Sequence, residues 1–427
     1  MIPMEDESTK SRREILEKAQ KSGELALLAG VIDPRTEVWE PFDERAMTFL
    51  DALSRSIRKS SLREIPDVAA LAFWCRRPHL EQLKKKHDSG KEVIRLGRGE
   101  LFHAAPSNVP MMFAYSFAIG LLAGCTNIVR ISGRSAESVR QLCKLIEELM
   151  KEDDFAPVRE RSSFVSYGHS ETLNAYYLAN CDGRVIWGGD ATVLKMRTYP
   201  GKPQSFETVF PDRWSFALVS EKEWAQAGEG MKQAWVHRFY NDTYVMDQNG
   251  CSSPQLVVWL CDPDSPDEAR EQFWTLLAKE AAQSYEIDAY KAARKYERTV
   301  LAAMGEDEET AEGAEFPAIT GIRRYLGNYL TVARIDAIGP EAVNLKGGFG
   351  LFYEAMAGTQ EDVLRLLTPK VQTITCIGVD RQELALCIAK GHGSGADRIV
   401  EAGQALDMDT IWDGRDLIET FSRRIEI

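Results

Sequence analysis

From residue 93 onward, short apolar runs alternate with amphipathic segments, and this alternation constrains the fold more than any other feature of the chain. Residues 93–96 and 101–104 read as strands, 112–122 as an apolar helix, 127–131 as a strand and 135–150 as an amphipathic helix. Strand 164–167, helix 171–180 and strand 184–187 follow, and Asp190 is placed to cap the next helix. A second run begins at Trp214, with strand 216–219, a long helix 221–240 and the apolar strand 256–260. Helices 266–284 and 287–304 come next, the latter patterned by Tyr290, Ala293, Tyr296, Val300 and Leu301. Strands 329–333 and 373–378 then alternate with helices 361–367 and 381–390. Strand–helix alternation of this kind predicts an α/β fold, with parallel sheets covered by helices on both faces. Residues 1–60 read as charged and helical, with Ile15, Ala19, Leu25 and Leu27 along an early segment. Ala46, Phe49, Leu50 and Leu53 mark one face of a second helix.

With 427 residues the chain is long enough for two or three domains. Its net charge of -13 argues against a nucleic-acid partner, because phosphate binding needs basic clusters. The 8 cysteines are scattered without a C-x-x-C pair, and no secretory apolar region opens the sequence. The expectation is therefore reduced thiols in a cytoplasmic protein. The longest apolar stretch, residues 110–123, is interrupted by Tyr115, Ser116 and Gly120, short of the roughly 18 residues a spanning helix needs. None of the 6 histidines stands at metal-ligand spacing, so no metal is expected. The acidic stretch 305–313 reads as a solvated surface loop.

Parallel sheets bind ligands beyond the carboxyl ends of their strands, near helix N-termini. Two junctions qualify. In one, Arg130, Ser132 and Arg134 surround Gly133 where a strand opens into a helix; in the other, Gly188 and Gly189 form a bare turn after Trp187. Neither is G-x-G-x-x-G and no P-loop is present, so taken alone both read first as ordinary turns.

The chemistry-bearing stretch is Met246-Asp-Gln-Asn-Gly-Cys251-Ser-Ser-Pro-Gln255. Here a cysteine sits in a small polar loop before a buried strand, and Gly250 permits close approach of a ligand. A thiol so presented meets electrophiles once something favours its thiolate. Cys125, Cys143, Cys261, Cys376 and Cys387 lie in apolar segments, where cysteine packs as a small hydrophobe. His103, within a strand, and His237, on a helix, read as packing or surface residues in preference to bases.

Three separated motifs resemble one family. Leu101-Phe-His-Ala-Ala-Pro106-Ser-Asn108-Val-Pro110 with Gly120-Leu-Leu-Ala-Gly124 and Asn127-Ile-Val-Arg130, the Cys251 loop, and Gly395-Ala-Asp397-Arg398-Ile-Val400 with Trp412-Asp-Gly414 are similar to signatures of the LuxC-type acyl-CoA reductases of bacterial bioluminescence operons. That family is a divergent branch of the aldehyde dehydrogenase superfamily. The resemblance implies two α/β lobes, one a Rossmann-like NADP-binding lobe over 91–213 to which 405–427 returns, the other a catalytic lobe over 214–404. Residues 1–90 would form a helical region packed on the cofactor lobe.

The resemblance further implies NADPH-dependent reduction of a long-chain fatty acyl thioester, acyl-CoA or a protein-delivered acyl group, to the aldehyde. Cys251 would carry the acyl group, and the Asn108 amide with the Cys251 backbone N–H would hold the oxyanion. Arg130, Ser132, Arg134, Gly188, Gly189 and Phe349 would contact the cofactor, with an arginine fork gripping a 2′-phosphate. A homo-oligomer and an acyl-protein synthetase partner are implied in the same way. The sequence departs from the superfamily twice. No E-L-G-G segment supplies a general base, Glu207 being the nearest carboxylate, and Gly347-Gly-Phe349-Gly350-Leu351 stands where the superfamily has E-x-F-G-P. Two other readings stay open: an acyl-accepting transferase subunit without redox chemistry, and CoA-acylating aldehyde oxidation.

Overall fold

The computed structural model describes residues 7–426 except 36, 89–92, 107–108, 134, 263–264 and 307–312, and the side chains from residue 14. The chain divides into two compact units, residues 1–211 with 408–427 and residues 212–407. Asn108, Arg134 and most of the acidic stretch 305–313 lie outside the described residues.

The first unit is built on strands β1 (Leu25–Gly30), β2 (Ile94–Gly97), β3 (Glu100–Ala104), β4 (Thr126–Ser132), β5 (Ser162–Tyr167), β6 (Gly183–Trp187) and β7 (Phe206–Phe210). Six of them form one sheet in the order β1-β5-β4-β3-β6-β7. All neighbours run parallel except β1, which pairs antiparallel with β5. β2 pairs instead with the C-terminal strand Ser422–Ile425. The chain winds outward from β3 through β4 to β5, then returns to the other side of β3 for β6 and β7. That reversal opens a crevice beyond the carboxyl end of β3.

Helix Met112–Leu122 is buried along its whole length because its eleven residues are apolar or small on every face. It lies so close to β4 that a side chain at Gly120 would overlap the Asn127 amide, 2.1 Å from its oxygen. Helix Glu44–Lys59 is capped by Asp43, whose carboxylate accepts from Arg45 N–H, and buries Ala46, Phe49, Leu50, Leu53 and Ile57 at helical spacing.

The second unit contains β8 (Trp214–Ser220), β9 (Pro254–Leu260), β10 (Ile319–Tyr325), β11 (Leu330–Ile335), β12 (Leu351–Ala357), β13 (Val371–Ile377) and β14 (Arg398–Glu401). They form a seven-stranded sheet in the order β10-β11-β12-β9-β8-β13-β14, parallel except for β10. The central strands are buried on both faces, which explains their near-continuous apolar runs. One buried carboxylate interrupts this core: Glu354 on β12 accepts from the indoles of Trp259 (3.2 Å) and Trp274 (2.6 Å) and pairs with Arg334. Its charge is thereby satisfied inside the unit.

The structure corrects several expectations. Residues 25–30 are a strand, because the apolar run is short and lies along the open edge of β5. The helix expected over 221–240 is two, Glu221–Gln226 and Glu229–Thr243, divided at Gly228, which caps the second. Gly189, not Asp190, occupies the cap before helix Asp190–Arg197. Helix Ala289–Met304 turns its aromatic stripe outward: Tyr290 is 67% and Tyr296 61% exposed, while Lys295, Thr299 and Ala302 face inward.

Candidate functional site

The cysteine loop leaves helix Glu229–Thr243 through a single tight turn, Tyr244–Met246. Asp247 and Gln248 then take left-handed backbone conformations, φ 54° and 59°. Strain of this kind in two successive non-glycine residues persists only where the surroundings impose it. Here the restraints are identifiable. Asp247 accepts from the Tyr285 hydroxyl at 2.5 Å and pairs with Lys291 at 3.0 Å. Its carbonyl receives Phe349 N–H.

The buried Gln248 amide donates to Leu351 C=O (3.1 Å) and accepts from Gly350 N–H (2.9 Å). Gln255, beyond the cysteine, accepts from Gly347 N–H (2.8 Å) and donates to Gln248 C=O (2.9 Å). The segment from Gly347 to Leu351 thus buttresses the cysteine loop. Gly350 is needed there: its φ is 85°, and a Cβ would meet the Tyr329 carbonyl at 2.4 Å. Phe349 is buried in the same segment with φ 55°, its ring edge-on to Tyr290 and beneath the Arg298 guanidinium.

Cys251 is half-buried at the amino end of β9. Its carbonyl accepts from the Ser215 hydroxyl at 2.7 Å, and its sulfur accepts from Gln372 Nε2 at 3.3 Å. Sequence reasoning missed Ser215 and Gln372. Gln372 is 121 residues from the cysteine and carries no local motif. Gln248 and Gln255 were quoted only as flanks of the loop, although two glutamines around a buried turn are what satisfied backbone groups require.

In the first unit the two predicted junctions lie on the same edge of the sheet, one strand apart. β4 and β6 flank β3, so Ser132 at the end of β4 and Gly188-Gly189 after β6 leave the sheet at the same, carboxyl edge. Arg130 lies over the Tyr167 ring at 4.7 Å and donates to Gly168 C=O. Among the described residues its buried Nε has no hydrogen-bond partner. Around Gly189 there is open space, since a Cβ there would meet no atom of the described residues within 4 Å. An arginine donor and a glycine turn opening a helix beside the strand reversal fit a phosphate-bearing ligand, although Asp190 stands in the first turn of that helix.

The remaining candidates have structural partners. His103 is fully buried, and burial pushes its imidazole down to about 4. Its Nε2 meets Asn127 Oδ1 at 3.0 Å, and Asn127 Nδ2 donates to Cys125 C=O. The neutral ring therefore carries its proton on Nε2, and Nδ1 accepts from the Ser116 hydroxyl, which in turn accepts from the Trp187 indole. His237 is exposed and pairs with Glu280. Glu207 on β7 is held by Arg197 at 2.7 Å. Burial drives the thiols of Cys125, Cys143, Cys181 and Cys376 up to about 12, which makes them inert. Cys387, expected inside, is half-exposed on helix Arg381–Lys390. Among the described residues no helix is long and apolar enough to cross a membrane.

Solved structures share this fold. The lactaldehyde dehydrogenase of Escherichia coli aligns with a TM-score of 0.60 over 97% of this chain and 90% of its own, at 14% identity. The NAD-dependent aldehyde dehydrogenase of Sinorhizobium meliloti gives 0.60 over 90% and 81%, at 13% identity. No curated protein matches the sequence. The family model described as acyl-CoA reductase (LuxC) matches residues 35–310, more than half of the sequence. The chain belongs to that acyl-CoA reductase family and is an oxidoreductase acting on aldehyde and acyl groups.

Proposed function

We propose that the protein reduces a long-chain fatty acyl thioester to the aldehyde, with NADPH as reductant and Cys251 as the acyl acceptor. The observation that carries this reading is the way Cys251 is held: a half-buried thiol at a strand end, its backbone fixed by Ser215 and its sulfur beside an amide donor. As thiolate, Cys251 attacks the thioester carbonyl, the bond to the carrier sulfur breaks, and the carrier leaves as a thiol with a proton from solvent. The acyl-cysteine is the species that is reduced, and collapse of the resulting hemithioacetal returns the cysteine and releases the aldehyde. The Cys251 backbone N–H and the Asn108 amide would serve as oxyanion donors.

A bound nicotinamide dinucleotide supplies the hydride. In this chain Arg130, Ser132, Arg134, Gly188 and Gly189 would hold its phosphates and ribose. The Arg130 Nε, which has no hydrogen-bond partner among the described residues, and the space those residues leave at Gly189 support that assignment. Phe349 is a weaker member of the set, being engaged in the cysteine-loop buttress. A cytoplasmic, homo-oligomeric enzyme that receives its acyl group from acyl-CoA or from an acyl-protein synthetase completes the reading.

The test is acyl-CoA-dependent loss of NADPH absorbance by the intact protein, with mass spectrometry of Cys251. An acyl adduct that NADPH discharges, with neither adduct nor turnover in Cys251→Ala, is expected. An adduct that NADPH leaves in place would point to acyl transfer without redox. Turnover only from aldehyde, CoA and NADP would reverse the physiological direction.

A further inference from the structure

We propose that Gln372 is the donor that holds the Cys251 thiolate, an inference that rests on Cys251 being the nucleophile. Gln372 is wholly buried at the second position of β13. An amide there is expensive to desolvate, and the hydrogen bond from its nitrogen offsets part of that cost. Its Nε2 is 3.3 Å from the Cys251 sulfur.

Backbone irregularity aims it there. The pairing of β13 with β8 slips between Val371 and Ile374, and the pairing of β8 with β9 slips between Ser215 and Phe216. Both irregularities meet at Ser215, whose hydroxyl accepts from Thr373 N–H at 3.1 Å while donating to Cys251 C=O. Slips of this kind re-aim side chains at functional sites. Here they bring the Gln372 amide and the cysteine to the same amino-terminal edge.

A neutral thiol is a weak acceptor and a thiolate a strong one, so a fixed N–H donor favours the reactive form. Gln372 does not titrate, and among the described residues charged groups on neighbouring elements have ion-pair or hydrogen-bond partners of their own. Asp247 is held by Tyr285 and Lys291, Arg213 by Asp397, and Lys346 by Asp212. Ser215 is a positioning residue in this arrangement, acting through the Cys251 backbone.

The experiment is the pH profile of Cys251 alkylation by iodoacetamide in the full-length protein, followed on the Cys251 peptide by mass spectrometry. In Gln372→Met, which keeps the volume and removes the donor, the profile moves up by about one pH unit and the rate at neutral pH falls about tenfold. Gln372→Glu, which replaces the donor by a carboxylate, moves it further. Profiles within twofold of the wild type in both variants overturn the proposal. Should the variants fail to fold, the thiolate absorbance of the wild type minus that of Cys251→Ala decides. A midpoint below the roughly 8.5 of an ordinary cysteine is expected, and one at or above it overturns the assignment. Alkylation needs no substrate. Retained reductase activity in Cys251→Ala would therefore sink the nucleophile reading while leaving the alkylation profile to judge Gln372 alone.

Discussion

Gln248 bridges two loops with one amide, accepting from Gly350 N–H at 2.9 Å while donating to Leu351 C=O at 3.1 Å. Gln255 mirrors it on the far side of Cys251, tying Gly347 N–H to the same loop. The cysteine is thus carried on a clasp whose two halves lie about a hundred residues apart in sequence. Gln248→Leu keeps the bulk but strands a buried Gly350 N–H, a loss of about 1–3 kcal/mol. We expect hydrogen exchange to quicken through 246–255 and turnover to fall with little change in NADPH binding. Unchanged exchange there would show that the clasp is dispensable.

The same clasp makes Gly350 intolerant of any side chain. Its φ of 85° is unfavourable for other residues, and the Tyr329 carbonyl occupies the space a Cβ would need. Gly350→Ala should lower stability by about 1–3 kcal/mol in denaturant unfolding of the second unit. Chemical-denaturation midpoints equal to those of the wild type would refute the strain argument.

Much of this fold was legible in the chain. The strands and helices from 93 onward follow from periodicity, because most are long enough to show a clear period. What failed were places where tertiary partners decide. The run from Leu25 becomes a strand only because β5 has an open edge, and β12 was missed although it is central. Helix Ala289–Met304 shows its pattern plainly, yet sequence cannot say that Tyr290 and Tyr296 face solvent.

The site divided in the same way. Carboxyl-end junctions such as Gly188-Gly189 obey a general rule for parallel sheets and could be picked out. Cys251 stands at the amino end of its strand, against that rule, and was found from its loop composition and the family resemblance. Gln372 and Ser215 reach it through slipped strand pairings that leave no local trace in the sequence.

Gly189 and Arg130 allow ligand binding to be separated from folding. No atom of the described residues would touch an alanine Cβ at Gly189, so Gly189→Ala should change stability by no more than about 0.5 kcal/mol. If a pyrophosphate passes that turn, the KM for NADPH rises several-fold with stability unchanged. Arg130→Ala should weaken NADPH more than NADH, by about tenfold if its fork grips the 2′-phosphate. Equal effects on both cofactors would confine Arg130 to its stack on Tyr167.

His103 predicts how the first unit responds to acid. Its imidazole titrates at about 4 in the folded chain against an ordinary 6.5, because burial disfavours the charged form. The unfolded chain therefore binds the extra proton first as pH falls. The contribution of the neutral ring is fully present above 6.5 and is lost progressively down to about 4, to a total of about 3 kcal/mol. His103→Gln does not titrate, and its side chain cannot serve both Ser116 and Asn127. It should be less stable than the wild type at pH 7, with the gap closing as pH approaches 4.5. Exchange protection of the β3 amides, measured at pH 7, 5.5 and 4.5 and corrected for intrinsic rates, reads this locally in the unit that holds the residue. Parallel pH dependence in the two proteins would show that His103 is not the group linking acid to the loss of this sheet.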